Sequence, residues 1–351
     1  MNEIIRIGMD TSKRIFQLHG VDVSERVVLR KKLTRDQMIR YFEQLPPTVV
    51  VLEACGSAHH WARELTRQGH AAKLIAPQLA KPFVKRGKND AADAEGLLEA
   101  SSRPSMRYVP AKTVDQQAAL MRAGERARLV RESTRLANTV RGYAAEFGLI
   151  GGKGTAQIEP LLVRLRQDRA VPEMARSLFA DLAADYARIG VRIAAVEARL
   201  TDWHKSNETA RRLTAIPGVG RIGASLLVMK TPDPRAFRCG RDYAAWLGLT
   251  PKDHSTAGKL RLGGITRAGD ETLRSLLVVG ATAVIQQARR GRTARPMPWL
   301  MRLLARKPAK LAAVALANKI ARVAWRLMVS GGTYNAAIHN AAMARPAPAA
   351  G

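Results

Sequence analysis

The sequence predicts an α/β domain at the N-terminus followed by mostly α-helical structure. Three observations carry this. Two short apolar runs, Ile4-Ile5-Arg6-Ile7-Gly8-Met9 and Val49-Val50-Val51-Leu52, are rich in β-branched residues and read as buried strands. Helical patterns alternate with further strand-like runs up to about residue 110. Beyond that point, long amphipathic stretches dominate.

Taken in order, the first part reads as strands over 4–10, 14–21 and 26–33, a helix over 34–45, a strand over 48–54, a helix over 58–68 and a strand over 71–76. A basic loop and a helix from Asp90 come next. Residues 20–25 and Leu33-Thr34 mark tight connections, and Thr34 is a helix N-cap candidate. Three successive strands followed by alternating helices and strands make a mixed sheet with helices on its faces. Residues 113–148 and 174–204 then read as two long helices. Leu120, Leu129, Leu136 and Val140 recur near helical spacing in the first, and Leu182, Ile189, Ile193, Val196 and Leu200 in the second. Gly151-Gly152-Lys153-Gly154 breaks the run, and Pro160 and Pro172 punctuate the stretch before the second helix. The two helices fit a hairpin or a dimer coiled coil, with spacing too loose to fix the latter. This gives domains over 1–111, 112–205 and 206–330, and a disordered tail over 331–351.

Composition sets the partner. Lys and Arg number 58 against 29 Asp and Glu, a net charge of +29, which points to a polyanion, above all nucleic acid. The excess is uneven: +6 over residues 1–111, +4 over 112–204 and +19 over 205–351. The last part is thus the expected main backbone-binding surface. No apolar run approaches the length of a membrane span, and the N-terminus lacks a signal-peptide pattern. Cys55 and Cys239 stand far apart and suit neither a disulfide framework nor a zinc site, so a reducing cytoplasm is expected.

Four acids stand out. Asp10 and Glu53 close the two apolar runs. Asp90 and Asp93 sit three apart at the start of a stretch of good helix formers, on one helix face. A carboxylate buried at a strand end costs several kcal/mol unless paired or metal-bound. Four such groups on one α/β unit can hold two Mg²⁺ ions for phosphoryl transfer. Singly, each has a structural reading: a turn cap at Asp10, an N-cap partner at Glu53, a favourable helix start at Asp90 and Asp93. Together, in a chain this basic, they point to a metal site. Glu95 and Glu99 read as a solvated helix face. Lys81, Lys85, Arg86 and Lys88 either hold a phosphate backbone beside the site or belong to a solvated loop. Arg122, Arg126, Arg128, Arg131, Arg135 and Arg141 read by default as a solvated face paired with Glu125 and Glu132.

In the last part, Ile216-Pro217-Gly218-Val219-Gly220 looks like a helix-hairpin-helix DNA-binding turn. Gly218 and Gly220 would allow close backbone approach, and the next helix would offer its N–H groups to a phosphate. The alternative is an ordinary helix–helix turn. The segment from Leu249 to Arg274 holds a hydroxyl, Ser255, before a Gly-Lys turn, with Lys259, Arg261, Arg267 and Arg274 beyond it. The hydroxyl could attack a phosphodiester, with the cations offsetting the developing charge. Local composition alone is also that of any loop.

The strand and helix order of the first part resembles the ribonuclease H-like fold, and the Asp-x-x-Asp helix resembles that of RuvC-type junction resolvases. The block Lys88-Asn89-Asp90-Ala91-Ala92-Asp93-Ala94-Glu95, with the Pro-Gly-Val-Gly turn and the stretch from His254 to Arg274, resembles the DEDD transposases of bacterial insertion sequences. Piv-type DNA invertases are relatives of that family. The resemblance runs from Ile4 to about Val329. It implies a RuvC-like N-terminal domain, a helical dimerising middle, and a C-terminal serine transposase domain. It further implies Mg²⁺, two ions per site, on Asp10, Glu53, Asp90 and Asp93, with Ser255 as the nucleophile of a phosphoserine intermediate and Thr256 as the fallback. An element-encoded bridge RNA would pair with donor and target DNA. Homodimers would assemble into tetramers, with active sites shared between chains. Ala257 departs from the glycine expected in the turn after the serine. Three other functions stay open at this point: a RuvC-like structure-specific DNA nuclease using water, a Piv-like site-specific DNA invertase, and an architectural nucleic-acid-binding protein without catalysis.

Overall fold

The computed structural model describes residues 3–84, 90–231, 233–292 and 297–335. The chain divides into two compact units, Met1–Gln117 and Ala118–Gly351.

The first unit contains β1 (Arg6–Thr11), β2 (Ile15–Val21), β3 (Val27–Thr34), α1 (Arg35–Glu43), β4 (Val49–Glu53), α2 (Ala58–Arg67), β5 (Ala71–Ile75), α3 (Pro77–Ala80), α4 (Asp90–Ser101) and β6 (Tyr108–Val109). The strands form one sheet in the order β3-β2-β1-β4-β5-β6. The first three pair antiparallel, β1, β4 and β5 pair parallel, and β6 returns antiparallel to β5. Short hairpin connections allow the antiparallel start, whereas the parallel pairs need the crossovers that α1 and α2 provide. Thr34 does cap α1, its N–H donating to the Gln37 side chain at 3.0 Å.

Alternation along the strands sorts side chains to two faces. Ile7, Met9, Val50, Leu52 and Leu74 pack with Met38 and Phe42 of α1 and Trp61 and Leu65 of α2. On the opposite face, Val51 and Ile75 pack with Ala80 of α3 and Leu97 and Ala100 of α4. Gly8 faces α4. A Cβ there would lie 2.2 Å from the Ala94 carbonyl oxygen, so α4 can rest directly on β1 only because residue 8 has no side chain.

The second unit holds α5 (Val114–Glu146), which starts within the last residues of the first. It continues with α6 (Ile158–Gln167), α7 (Glu173–Ser206), α8 (Glu208–Leu213), α9 (Arg221–Lys230) and α10 (Gly240–Trp246). Then come β7 (Pro251–Asp253), β8 (Leu262–Ile265), α11 (Glu271–Arg289), α12 (Pro298–Leu304) and α13 (Ala309–Ser330). Within this chain α5 and α7 form an antiparallel hairpin: Arg126 bonds Glu197, Arg192 bonds Glu125, and the Phe147 and Phe179 rings meet edge to face. Arg128 pairs with Glu125 and Glu132, as the solvated-face reading expects. Arg141 instead donates to the carbonyls of Gly152 and Gly154 and holds the turn after α5.

The sequence pattern assigns no element to the stretch between the two long helices, and α6 lies there. Pro160 sits in its first turn, where a missing N–H costs nothing. Ile158, Leu161, Leu162 and Leu165 of α6 pack with Val140 and Phe179 at the closed end of the hairpin. A larger core joins Leu129, Ile189, Val196 and Leu200 to the buried faces of α9, α10, α11 and α13. None of the helices in the described residues is long and apolar enough to cross a membrane.

Candidate active site

The acid site is a consequence of strand register. Gly8 pairs with Val51 and Met9 with Leu52 in the parallel β1–β4 ladder, so Asp10 and Glu53 come next, side by side on the α4 face. Adjacent strands stand about 4.8 Å apart. From above, α4 contributes Asp93, one residue before the Ala94 carbonyl that rests on Gly8. Asp10, Glu53 and Asp93 are all half-buried. Burial first, and then the negative charge of Asp93, raise the Glu53 carboxyl above its ordinary range. The two carboxylates therefore feel one another.

Asp90 begins α4, but its side chain lies outside the described residues, as do Lys85, Arg86 and Lys88. Among the described residues no three His, Cys, Asp or Glu side chains are close enough to hold a metal ion. Cys55 and Cys239 are free thiols. Gly8 carries no chemistry and escapes a search for functional side chains, although a glycine inside an apolar strand run is itself a signal of close backbone approach.

Ser255 lies on a hairpin whose sequence has the composition of a loop. Strands β7 and β8 pair antiparallel, and beyond them Thr256 bridges Lys259, whose N–H donates to the Thr256 carbonyl at 2.9 Å. The two turn residues, Ala257 and Gly258, have φ of 47° and 77°. A two-residue hairpin turn with both central φ positive favours glycine or asparagine. Ala257 thus occupies a left-handed position, which explains physically why glycine is expected there.

The Ser255 hydroxyl oxygen accepts from the Arg261 N–H at 3.0 Å, and its own N–H donates to Asp253 Oδ1 at 2.8 Å. Hydrogen bonding from Ser255, hydroxyl first and backbone second, holds Asp253 below the usual carboxylate range. Ser255, Lys259, Arg261 and Arg267 are exposed. A groove of about 920 Å³ between the hairpin and the start of α13 is lined by Lys252, Arg267 and Lys310, among others.

Arg274 has a framework position: its guanidinium donates to the carbonyls of Leu247 and Ala268 at 3.2 and 3.0 Å. The turn between α8 and α9 places Gly218 at φ 88°, where a Cβ would meet the Gly280 backbone of α11 at 2.9 Å. Gly218 is therefore required by packing. Gly220 caps α9 in open space, with no heavy atom within 4 Å of a Cβ position, so the N-terminal N–H groups of α9 are approachable there.

Paired carboxylates at the ends of parallel strands and a serine hairpin rich in cations are groups that phosphodiester chemistry can use. Residues 210–295 match the transposase IS116/IS110/IS902 family. Over 337 residues the chain is 61% identical to a Sinorhizobium fredii protein named as a transposase, y4pF/y4sB, covering 96% of this chain and 87% of that one. It is 37% identical to the transposase for insertion sequence element IS1328 of Yersinia enterocolitica, covering 95% of this chain and 100% of the relative. For the transposase of IS1111A from Coxiella burnetii the identity is 36%, over 95% and 92% of the two chains. The chain belongs to the IS110/IS116/IS902 family of transposases.

Proposed function

We propose that the chain is an insertion-sequence transposase that cuts and rejoins donor and target DNA through a phosphoserine intermediate, guided by an element-encoded bridge RNA. The observation that supports this is the placement of Asp10 and Glu53 on adjacent parallel strands under α4, with burial and then the charge of Asp93 raising Glu53. The sheet order, with three antiparallel strands and then two parallel ones, supports a RuvC-like reading of the first unit.

Asp10, Glu53, Asp90 and Asp93 would hold Mg²⁺, two ions per site, and the ions would stabilise charge on the attacking and leaving oxygens of phosphoryl transfer. Ser255 is the nucleophile. Its Oγ forms a bond to phosphorus as one sugar oxygen leaves, and the hydroxyl proton ends on that oxygen. Attack by another strand's sugar hydroxyl reverses the exchange, so the phosphodiester energy is kept. Asp253 and the Arg261 N–H orient the serine, and Lys259, Arg261 and Arg267 offset charge on the phosphoryl group. The α8–α9 turn serves as a helix-hairpin-helix that holds backbone phosphates at Gly220. Pairing of chains through the helical middle, as dimers and then tetramers, would bring one chain's acids to another's serine.

The test is strand exchange with purified protein, its flanking noncoding RNA, Mg²⁺ and labelled DNA. Ser255→Ala is expected to abolish exchange and keep RNA binding. Exchange at the wild-type level by that variant rules the serine role out.

A further inference from the structure

Beyond the acids, the α4 face of the sheet continues across β2 and β3. Register places Asp10 opposite Gln17, and Gln17 opposite Lys32. One row across the sheet therefore reads Lys32, Gln17, Asp10, Glu53. The row beside it reads Arg30, His19, Gly8, Val51. Helix α4 covers Gly8 but leaves the β3 end of both rows open. Arg30 and Lys32 are exposed and make no ion pair among the described residues. A cavity of about 370 Å³ opens there, lined by Gln17, His19, Arg30, Lys32, Ala92 and Glu95. Gln17 of the lining is the cross-strand partner of Asp10, and Ala92 precedes Asp93 in α4, so the cavity lies beside the acids.

We propose that this β2–β3 face is a phosphate track that holds the DNA strand entering the Asp10–Glu53–Asp93 site. It rests on the acids being the cutting site. Lys32 lies two strands from Asp10, about 10 Å at the usual strand spacing. That distance suits a cation gripping a phosphate one or two nucleotides from the scissile one. Gln17, between them, offers an amide donor to the same backbone. Such contacts position the strand and carry no sequence information. Among the described residues of the lining Glu95 is the one acid; it has an interaction of its own and leaves the lining net positive with Arg30 and Lys32. Lys31, between the two cations, also borders the cavity, but its ammonium lies over the Tyr41 ring at 4.4 Å, on the other face.

The test compares the full-length protein with Arg30→Gln/Lys32→Gln by fluorescence anisotropy. The probe is a short fluorescein-labelled single-stranded DNA, with an RNA of the same sequence as a second arm. Each lost phosphate contact lowers the slope of log affinity against log salt by about 0.7 on single strands. The double variant should therefore show a slope smaller by about 1.4. Equivalently, the wild type loses about sevenfold more affinity than the variant between about 50 and 200 mM salt. Lys31→Gln should leave the slope as it is, and equal melting temperatures confirm that the variants are folded. An unchanged DNA slope, or a change with RNA alone, overturns the track. Neither result touches the acid reading, which fails separately if Asp10→Asn still cuts DNA.

Discussion

The seat of α4 on β1 gives the sharpest structural prediction. Gly8→Ala places a Cβ 2.2 Å from the Ala94 carbonyl oxygen and 3.1 Å from Leu98 Cγ, where ordinary contact begins at 3.4 Å. The obstacle is backbone, so α4 must retreat by more than about 1 Å. Overpacking of this kind costs about 1–3 kcal/mol. For a unit of this size the melting temperature should fall by about 4 °C per kcal/mol. Asp93 moves with the helix, and a misplacement of about 1 Å can cost ~10²-fold in rate. The assay is a pair: thermal unfolding, and Mg²⁺-dependent DNA cutting. Gly124→Ala is the contrast, because Gly124 lies within α5 with no heavy atom near its Cβ position, and alanine there should stabilise by about 1 kcal/mol. Wild-type stability and cutting in Gly8→Ala would refute the claim that this glycine sets the position of Asp93.

The same geometry yields three further outcomes. Mg²⁺ should raise the melting temperature of the wild type, and Asp10→Asn and Asp93→Asn should remove that rise and stop cutting; an unchanged Mg²⁺ response would count against those ligands. His59 accepts a hydrogen bond from the Lys112 N–H, and burial, with Lys112 and Arg63 nearby, lowers its pKa from 6.5 to about 4. The neutral ring therefore supports the fold above pH 6.5, and that support is lost as the pH falls from 6.5 towards about 4. His59→Phe should flatten stability over that window, as read from melting against pH; a wild-type slope would contradict it. Ala257→Gly should relieve the left-handed strain, with a net gain of at most about 1 kcal/mol and slower hydrogen exchange at the Lys259 amide. Faster exchange would show that the turn is held by something else.

Much of the first unit is legible in the sequence because its signals are local. The β-branched runs ending in Asp10 and Glu53, the Thr34 cap and the Asp90 helix start each identify an element without reference to the rest. Parallel register is then set by burial, since a one-residue slip would turn Met9 and Leu52 out of the core. The features hidden from the sequence depend on partners distant along the chain. The two-residue strand β6 exists because β5 offers an edge to it. Arg274 reads as a phosphate ligand until the carbonyls of Leu247 and Ala268 are seen to hold it. Gly218 reads as a DNA-binding glycine, yet its backbone meets Gly280, 62 residues on, against α11. The β7–β8 hairpin is hidden because its strands are short and exposed and lack an apolar alternation. The cationic row over β2 and β3 becomes visible only once register sets Lys32, Gln17 and Asp10 in line.

The central claim is that Ser255, aided by the acid site, attacks DNA. The direct measurement is a denaturing gel of the protein incubated with its flanking noncoding RNA, Mg²⁺ and labelled donor DNA. The account predicts a protein–DNA adduct that forms in the wild type, needs the RNA, and vanishes in both Ser255→Ala and Asp10→Asn. Cut DNA ends without any adduct, at the same rate in Ser255→Ala, would contradict it and identify water as the nucleophile.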